Sequence, residues 1–402
     1  MLMVGEPAFS AGSSAPDGIA ELLDLRARAL LEEDKRAFMS TVAPFAPAGF
    51  RRRQSALYEG FVALDLAEFE LTAKWDRMGD LVRPGANETY PEGDLIALPL
   101  TLERYRLEGL DPEPAYEELF YTYVRVEDDW FVANDTDLED VGLYSGRHLW
   151  ESAPIEPHTT EHFTFYSHPC SSDCVAIEEM GTQSERAFDL VKRYWKQIPD
   201  KTAVFVPEDS DQLERMIQST FDLDSFVAFA YSSEDPQLGY TGHRVMLNPD
   251  SFRGIDPGYA YSILAHEMLH IATRKAAGPF LPIFIEEGFA EYVGTDASQS
   301  GLDFFEAEVA AGRSGEAIPL DFEFTTGSNN DIYGSYQESL ATVHFFVDRW
   351  GLEPFIRFYR ALGSVVVEPG TTRYWVNKTL EDEIGIDLAR FEQLWADSIG
   401  AS

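Results

Sequence analysis

Residues 259–272 read YAYSILAHEMLHIA, and this stretch decides how the chain is interpreted. His266 and His270 are four positions apart, so both imidazoles project from the same side of a helix. Apart from Ser262, Glu267 and the two histidines the stretch is mostly apolar, which predicts a helix buried all round. Burying such groups without partners costs about 1–3 kcal/mol for each neutral group and more for the charge. A bound metal ion would remove that cost.

Glu267 follows the first histidine directly and lies about 100° further round the helix. From there its carboxylate can take a proton from a water bound to the metal. The pattern therefore predicts a hydrolase with one Zn²⁺ ion, two histidine ligands and Glu267 as general base. The alternative interpretation is a core helix whose histidines bond to neighbouring side chains.

The next segment, residues 281–292, reads LPIFIEEGFAEY. An HExxH helix followed by Glu-Gly-Phe-Ala-Glu-Tyr resembles the gluzincin metallopeptidases, particularly the bacterial peptidase MA group and, more distantly, aminopeptidase N-type enzymes. In that family the Glu before Gly is the third ligand. The resemblance implies that His266, His270 and Glu287 bind zinc and leave the fourth position to water. Glu286 is the neighbouring alternative, because sequence alone does not show which of two adjacent carboxylates faces the metal.

The same resemblance implies a supporting role for Glu291, one helical turn beyond Glu287. In the family a carboxylate at this place accepts a hydrogen bond from a ligating imidazole and fixes its tautomer. A solvated charge on the helix surface is the alternative for Glu291.

A tyrosine is expected from residues 333–340, YGSYQESL, which resemble the start of the tyrosine-containing helix after the gluzincin site. There a phenol donates a hydrogen bond to the oxyanion of the tetrahedral intermediate. Tyr336 fits that position best, Tyr333 is the second choice, and ordinary packing of both rings is the alternative.

Two strands are expected before the site helix, at residues 225–231 and 243–248. The second resembles the edge strand along which gluzincins align an extended peptide. The chain lacks the Gly-Ala-Met-Glu-Asn pattern with which aminopeptidase N-type enzymes bind a substrate amino terminus. We therefore expect an endopeptidase rather than an aminopeptidase.

The chain has 402 residues, enough for two domains with separate cores. Residues 1–17 read as a disordered leader, and the composition of residues 151–161 is typical of a linker. The expected fold class is α+β. Residues 18–150 would form a cone-like α+β domain with a curved antiparallel sheet, and residues 162–402 a mostly helical, thermolysin-like zinc peptidase domain with a small mixed sheet.

The expected N-terminal domain begins with one amphipathic helix at residues 19–39 and continues with strands at 67–73, 95–105, 119–126 and 130–134. A helix followed by curved antiparallel strands resembles the cone-shaped domain of the nuclear transport factor superfamily. Such cones can be enzymes, ligand pockets or interaction modules. No charged constellation stands out here, so we expect an accessory role in substrate docking, autoinhibition or spacing.

The balance of 70 acidic against 31 basic residues, net charge −39, argues against nucleic acid or an anionic membrane surface as partner. Phosphate contacts need Lys and Arg. No apolar run reaches transmembrane length and no signal peptide is evident, so membrane insertion is not expected. The family resemblance implies a secreted or tethered protein. Cys170 and Cys174 form either a local disulfide or two free thiols.

Together these features predict a zinc-dependent peptidase that hydrolyses peptide or protein substrates with Glu267 as base. Two other interpretations stay open. One is a zinc hydrolase of a non-peptide amide or ester, and the other is a zinc-stabilised binding protein without turnover.

Overall fold

The computed structural model describes residues 17–75, 86–169, 175–217, 226–235, 238–278, 281–312, 318–324, 326–365 and 370–399. Helices and small sheets occur in both halves of this part of the chain, which confirms the predicted α+β class. Residues 1–16 of the expected leader, and both Cys170 and Cys174, lie outside the described residues.

Three helices open the described chain: α1 (Asp17–Leu31), α2 (Lys35–Ser40) and α3 (Ala48–Val62). The prediction of one helix over residues 19–39 is wrong, because the backbone turns at Glu33, where φ is 56°. Asp34 then caps α2 by accepting a hydrogen bond from the Ala37 N–H at 2.9 Å. Such a side-chain cap satisfies an amide that would otherwise lack a partner and so fixes the new start.

Two three-stranded antiparallel sheets follow, in the orders β1-β3-β4 and β2-β5-β6. Their elements are β1 (Leu66–Lys74), the short helix α4 (Ala86–Thr89), β2 (Leu95–Ala97), β3 (Leu100–Leu107), β4 (Ala115–Leu119), β5 (Thr122–Val126) and β6 (Asp129–Asn134).

The strands predicted at 67–73 and 130–134 are confirmed, whereas those at 95–105 and 119–126 are each divided between the two sheets. Pro99 lies at the first division, and proline has no amide hydrogen to donate to a sheet. The likeness of this region to a nuclear transport factor cone stays a prediction.

A five-stranded mixed sheet follows in the order β10-β11-β9-β8-β7. Its strands are β7 (Glu156–Thr159), β8 (Phe163–Ser167), β9 (Thr202–Val206), β10 (Ala228–Asp235) and β11 (Gly239–Leu247). β9 runs parallel to both neighbours, and the other pairs are antiparallel. β7 lies within the stretch 151–161 that the sequence suggests as a linker; the division into two domains stays a prediction.

The prediction that residues 243–248 form an edge strand is wrong. β11 pairs with β10 on one side and with β9 on the other, so β10 is the edge strand of this hairpin. The physical reason is burial on both faces: consecutive residues Val245, Met246 and Leu247 are all buried, as in a central strand.

The helices of the second half are α5 (Ile177–Tyr194), α6 (Ser210–Ile217), α7 (Pro249–Phe252), α8 (Pro257–Ala277), α9 (Ile283–Gly294), α10 (Asp303–Ala310), α11 (Asn329–Trp350), α12 (Leu352–Gly363), α13 (Thr372–Ile384) and α14 (Leu388–Ile399). Most of them pack on one face of this sheet, whereas Leu213 and Met216 of α6 belong to the core on the other face. In the described part of the chain, none of the helices has the length and apolar character needed to span a bilayer.

Apolar side chains form two cores, and the five-stranded sheet lies between them. One core is built mainly from the N-terminal helices and small sheets, and it includes the sheet residues Tyr166, Ala203, Phe205 and Met246. The other is built from the C-terminal helices, and it includes the sheet residues Phe165, Val204, Val245 and Leu247. Each face of the sheet is therefore covered mainly by a different half of the chain.

Candidate metal centre

Helix α8 carries both histidines of the HExxH pattern near its middle. Asp256 caps its N-terminus by accepting the Gly258 N–H at 2.8 Å, and Pro257 occupies its first turn. The helix ends at Gly278, whose φ of 63° favours glycine. Capping at both ends fixes the register, so His266 and His270 face the same side one turn apart.

Helix α9 lies close against two helices because glycine occupies both contacts. A Cβ atom on Gly288 would lie 2.5 Å from the Ser339 carbonyl oxygen of α11, and one on Gly294 would lie 2.9 Å from the Ser262 oxygen of α8. These approaches place the carboxylates of α9 directly over the histidines of α8. Glu287 is the residue immediately before Gly288, so its position depends on that contact.

Three ligand atoms converge between α8 and α9. The Nε2 atoms of His266 and His270 are 3.1 Å apart, and Oε2 of Glu287 is 3.2 Å and 3.4 Å from them, respectively. Atoms bound at about 2.0–2.1 Å to a tetrahedral ion lie about 3.3–3.4 Å from one another. The triangle thus fits a tetrahedral zinc ion, with the fourth position open. Among the described residues, this group is the one whose potential ligand atoms all lie within 4.8 Å of one another.

The other nitrogen of each imidazole faces a carboxylate. Oε1 of Glu291 is 3.3 Å from Nδ1 of His266, and Oε1 of Glu286 is 3.4 Å from Nδ1 of His270. A proton on each Nδ1 satisfies both carboxylates and leaves both Nε2 lone pairs facing the centre of the triangle. In that tautomer no hydrogen lies between the three converging atoms, and a bound cation would satisfy them. Without a cation, the imidazoles can take up protons at Nε2 and donate them to Glu287.

The structure thus separates the two adjacent carboxylates that the sequence leaves open. Glu287 reaches the Nε2 side of the histidines, whereas Glu286 lies on the Nδ1 side of His270. Glu286 is also 3.3 Å from Nη1 of Arg274. Arg274 lies in the last turn of α8 and was not among the site residues expected from the sequence. Its spacing of four residues from His270 is the signal that places it on the same face.

The centre stabilises positive charge. Burial lowers the pKa of His270, but the charge of Glu287 and hydrogen bonds to Glu286 and Glu287 outweigh this effect and raise the pKa to about 9. Burial likewise opposes the change at His266, yet hydrogen bonds to Glu287 and Glu291 raise its pKa well above its usual value. Burial acts against ionisation of Glu287, while the charge of His270 and hydrogen bonds from both imidazoles hold its pKa well below its usual range.

Glu267 is 7% exposed, beside the triangle rather than part of it. Burial raises the pKa of its carboxyl, whereas the charges of the two histidines and a hydrogen bond from the Ala230 N–H of β10 lower it. Helix α8 packs against β10, so Glu267 lies on a helix next to the edge strand. A raised pKa makes a carboxylate a stronger base, which suits proton exchange with a reacting group.

Tyr336 is affected by more of the carboxylates of the centre than Tyr333 is. The Tyr336 ring packs edge-on against Phe324, with centroids 5.3 Å apart. Burial raises the pKa of the Tyr336 phenol. The charges of four carboxylates of the site raise it further: Glu287, Glu267, Glu291 and Glu286. Tyr333 is 48% exposed and packs on Phe304. Burial is the main cause that raises the pKa of Tyr333, and the charge of Glu291 raises it further.

No protein-family model matches the chain, and a search of curated proteins gives no match.

Proposed function

We propose that the protein is a zinc-dependent peptidase and that it cleaves within an extended peptide. The observation that carries the proposal is the triangle of two Nε2 atoms and one carboxylate oxygen, with edges of 3.1, 3.2 and 3.4 Å. Two imidazoles and one carboxylate are a donor set that suits Zn²⁺ in catalytic sites. When bound, the ion would lower the pKa of a water in its open position and polarise the scissile carbonyl.

The proposed general base is Glu267. It is buried beside the proposed metal ligands, and its pKa is raised chiefly by burial. Glu267 would take the proton from the attacking water and return it to the leaving amine. Tyr336 would donate its phenol hydrogen to the developing oxyanion, because burial and the site carboxylates keep the phenol protonated.

The substrate would bind along β10. In the described part of the chain, β10 pairs with β11 on one side, and its other edge is not paired to a strand. An edge strand offers amide and carbonyl groups to an extended chain, which favours a peptide over a small amide or ester. Helix α8, which carries Glu267, packs against β10, so a peptide on β10 would lie next to the proposed base.

The test is digestion of a peptide library by zinc-loaded protein, with and without a chelator, with Glu267→Gln as the control. We expect cleavage that the chelator abolishes, that added Zn²⁺ restores, and that the variant lacks. Zinc-loaded protein that leaves every peptide intact would contradict the proposal. In that case hydrolysis of non-peptide esters would indicate the alternative hydrolase, and inert protein would indicate a binding function.

A further inference from the structure

The N-terminal half contacts the β10–β11 hairpin at its turn. Nε of Arg104, on β3, donates to Oδ2 of Asp235 at 2.8 Å, and the Asp235 side chain is 1% exposed. The second oxygen of the same carboxylate accepts the Leu238 N–H at 3.1 Å. Asp235 therefore joins the turn of the hairpin to the N-terminal sheet through one buried group.

A second ion pair joins β11 to the same half. Both Nη atoms of Arg244 donate to the carboxylate of Asp111, with Nη2 2.7 Å from Oδ2, and both side chains are buried. The backbones also approach closely, because a Cβ atom on Gly242 would lie 2.5 Å from the Cβ of Ala115 on β4. The hairpin is thus fixed at several points that do not involve the C-terminal helices.

The two faces of β10 pack against different halves of the molecule. Phe229 and Tyr231 pack against the N-terminal core, while Ala228 and Ala230 pack against the C-terminal core. Helix α8, which carries Glu267, packs against β10. The N-terminal half therefore supports the edge strand from behind, on the face opposite to the proposed base.

A series of side-chain contacts connects the hairpin to His270, one of the proposed metal ligands. The Tyr240 ring of β11 lies 5.3 Å from the guanidinium carbon of Arg274. Arg274 is 3.3 Å from Glu286, and Glu286 is 3.4 Å from Nδ1 of His270. A displacement of the hairpin would move Tyr240, which contacts Arg274, together with β10, which packs against the helix that carries Glu267.

We propose that the N-terminal half positions the β10–β11 hairpin for catalysis, with Arg104 and Asp235 as positioning residues; this inference rests on the proposed peptidase function. A peptide that adds to β10 needs an ordered strand, because each flexible residue would have to be ordered when the substrate binds. An ion pair at the turn supplies that order before binding. The accessory role is therefore active support of the substrate strand, rather than spacing or inhibition.

The first test does not depend on activity. Hydrogen–deuterium exchange of residues 228–247 would be compared in the full-length protein and in Arg104→Gln, Asp235→Asn and the double variant. Asp235→Asn keeps an oxygen for the Leu238 N–H, so the turn itself is retained. We expect exchange of β10 amides about 10-fold faster in each single variant, with no further increase in the double variant.

The matched control is Arg106→Gln. Arg106 also lies on β3, but Nη2 of its guanidinium pairs with Glu68 of β1 at 2.8 Å, inside the N-terminal sheet. We expect hairpin exchange in this control to equal that of the unaltered protein. Unchanged exchange in Arg104→Gln, or an equal increase in Arg106→Gln, would overturn the inference whether or not the protein cleaves peptides.

The second test measures the consequence for peptide hydrolysis. Arg104→Gln and Asp235→Asn should raise KM for an extended peptide about 10-fold and change kcat less, because the strand is disordered before binding. Arg104→Lys keeps a charge near Asp235 and should recover part of the loss. Faster exchange with unaltered KM would overturn the positioning role, whereas absence of cleavage in the unaltered protein would count against the peptidase proposal instead.

Discussion

Oε1 of Glu286 lies 3.4 Å from Nδ1 of His270, on the side of the imidazole that faces away from the three converging ligand atoms. A carboxylate in that place orients a ligand without binding the metal itself. We predict that Glu286→Gln weakens zinc affinity by about 10- to 100-fold, while Glu287→Gln weakens it further because a ligand is lost. Competition with a chromophoric chelator measures both. Stronger binding by Glu287→Gln than by Glu286→Gln would reverse the assignment.

Glu267→Gln should retain zinc and lose most turnover. The amide has nearly the same shape but cannot accept a proton, so kcat should fall by about 10²- to 10⁴-fold. Metal analysis of the purified variant should show one zinc ion per chain, as in the unaltered protein. Cleavage at a near-normal rate would eliminate Glu267 as the base.

Tyr336→Phe should lower kcat by about 10²- to 10³-fold with little change in KM, because the phenol hydrogen is needed mainly at the oxyanion. Tyr333→Phe is the matched control, since Tyr333 is half-exposed and packs on Phe304. Steady-state kinetics on one peptide would compare the two variants. Equal losses of kcat in both variants, or a loss confined to Tyr333→Phe, would contradict the assignment of oxyanion stabilisation to Tyr336.

Gly288→Ala should destabilise the protein and disturb the metal centre. The added methyl would lie 2.5 Å from the Ser339 oxygen, so α9 would have to move away from α11 at a cost of about 1–3 kcal/mol. Gly334→Ala, on α11, is the control because no neighbouring group lies within 4 Å of the position that its methyl would take. There, alanine should stabilise the helix by about 0.5–1 kcal/mol. Thermal unfolding of the two variants should therefore shift in opposite directions.

His243 should make the protein less stable in mild acid. Burial, followed by the charges of Arg274, Arg244 and Lys275, lowers its pKa from 6.5 to about 4, although Asp111 opposes the shift. Between these values the unfolded chain binds a proton that the folded chain does not, so stability falls as the pH falls.

Urea unfolding at pH 7 and pH 5 would measure this effect. From pH 7 to pH 5 the unaltered protein should lose about 1–2 kcal/mol more than His243→Gln does, because glutamine does not titrate. His158→Gln, on the exposed strand β7, is the control and should behave like the unaltered protein. A loss of equal size in His243→Gln would show that other groups cause the acid sensitivity.

Local spacing accounts for the relative directions of side chains one helical turn apart, while their roles stay predictions. Four residues on a capped helix fix the relative direction of His266 and His270, and the same rule relates Glu287 to Glu291. The distances of Glu291 from His266 and of Glu287 from both rings agree with those expectations. The resemblance to gluzincins supplied the choice of Glu287, which spacing alone leaves open.

Contacts between distant segments were beyond the reach of such rules. A hairpin pattern does not tell which of its two strands pairs with a third, so the edge position of β10 became clear only from the sheet order. The Ala230 contact to Glu267 depends on that order too. The helix break at Glu33 is caused by a local backbone conformation with positive φ. Sequence patterns rarely indicate such a conformation at a residue other than glycine, so the amphipathic pattern here predicted one continuous helix.

Because the two faces of the five-stranded sheet are covered mainly by different halves of the chain, a fragment of either half would leave apolar side chains of the sheet uncovered. A recombinant fragment starting at residue 160 would lack β7 and would expose Tyr166, Phe205 and Met246 to water. An uncovered apolar face of this kind promotes aggregation. Inactivity of such a fragment would reflect insolubility, so the division of labour between the halves is better resolved by point substitutions in the intact polypeptide.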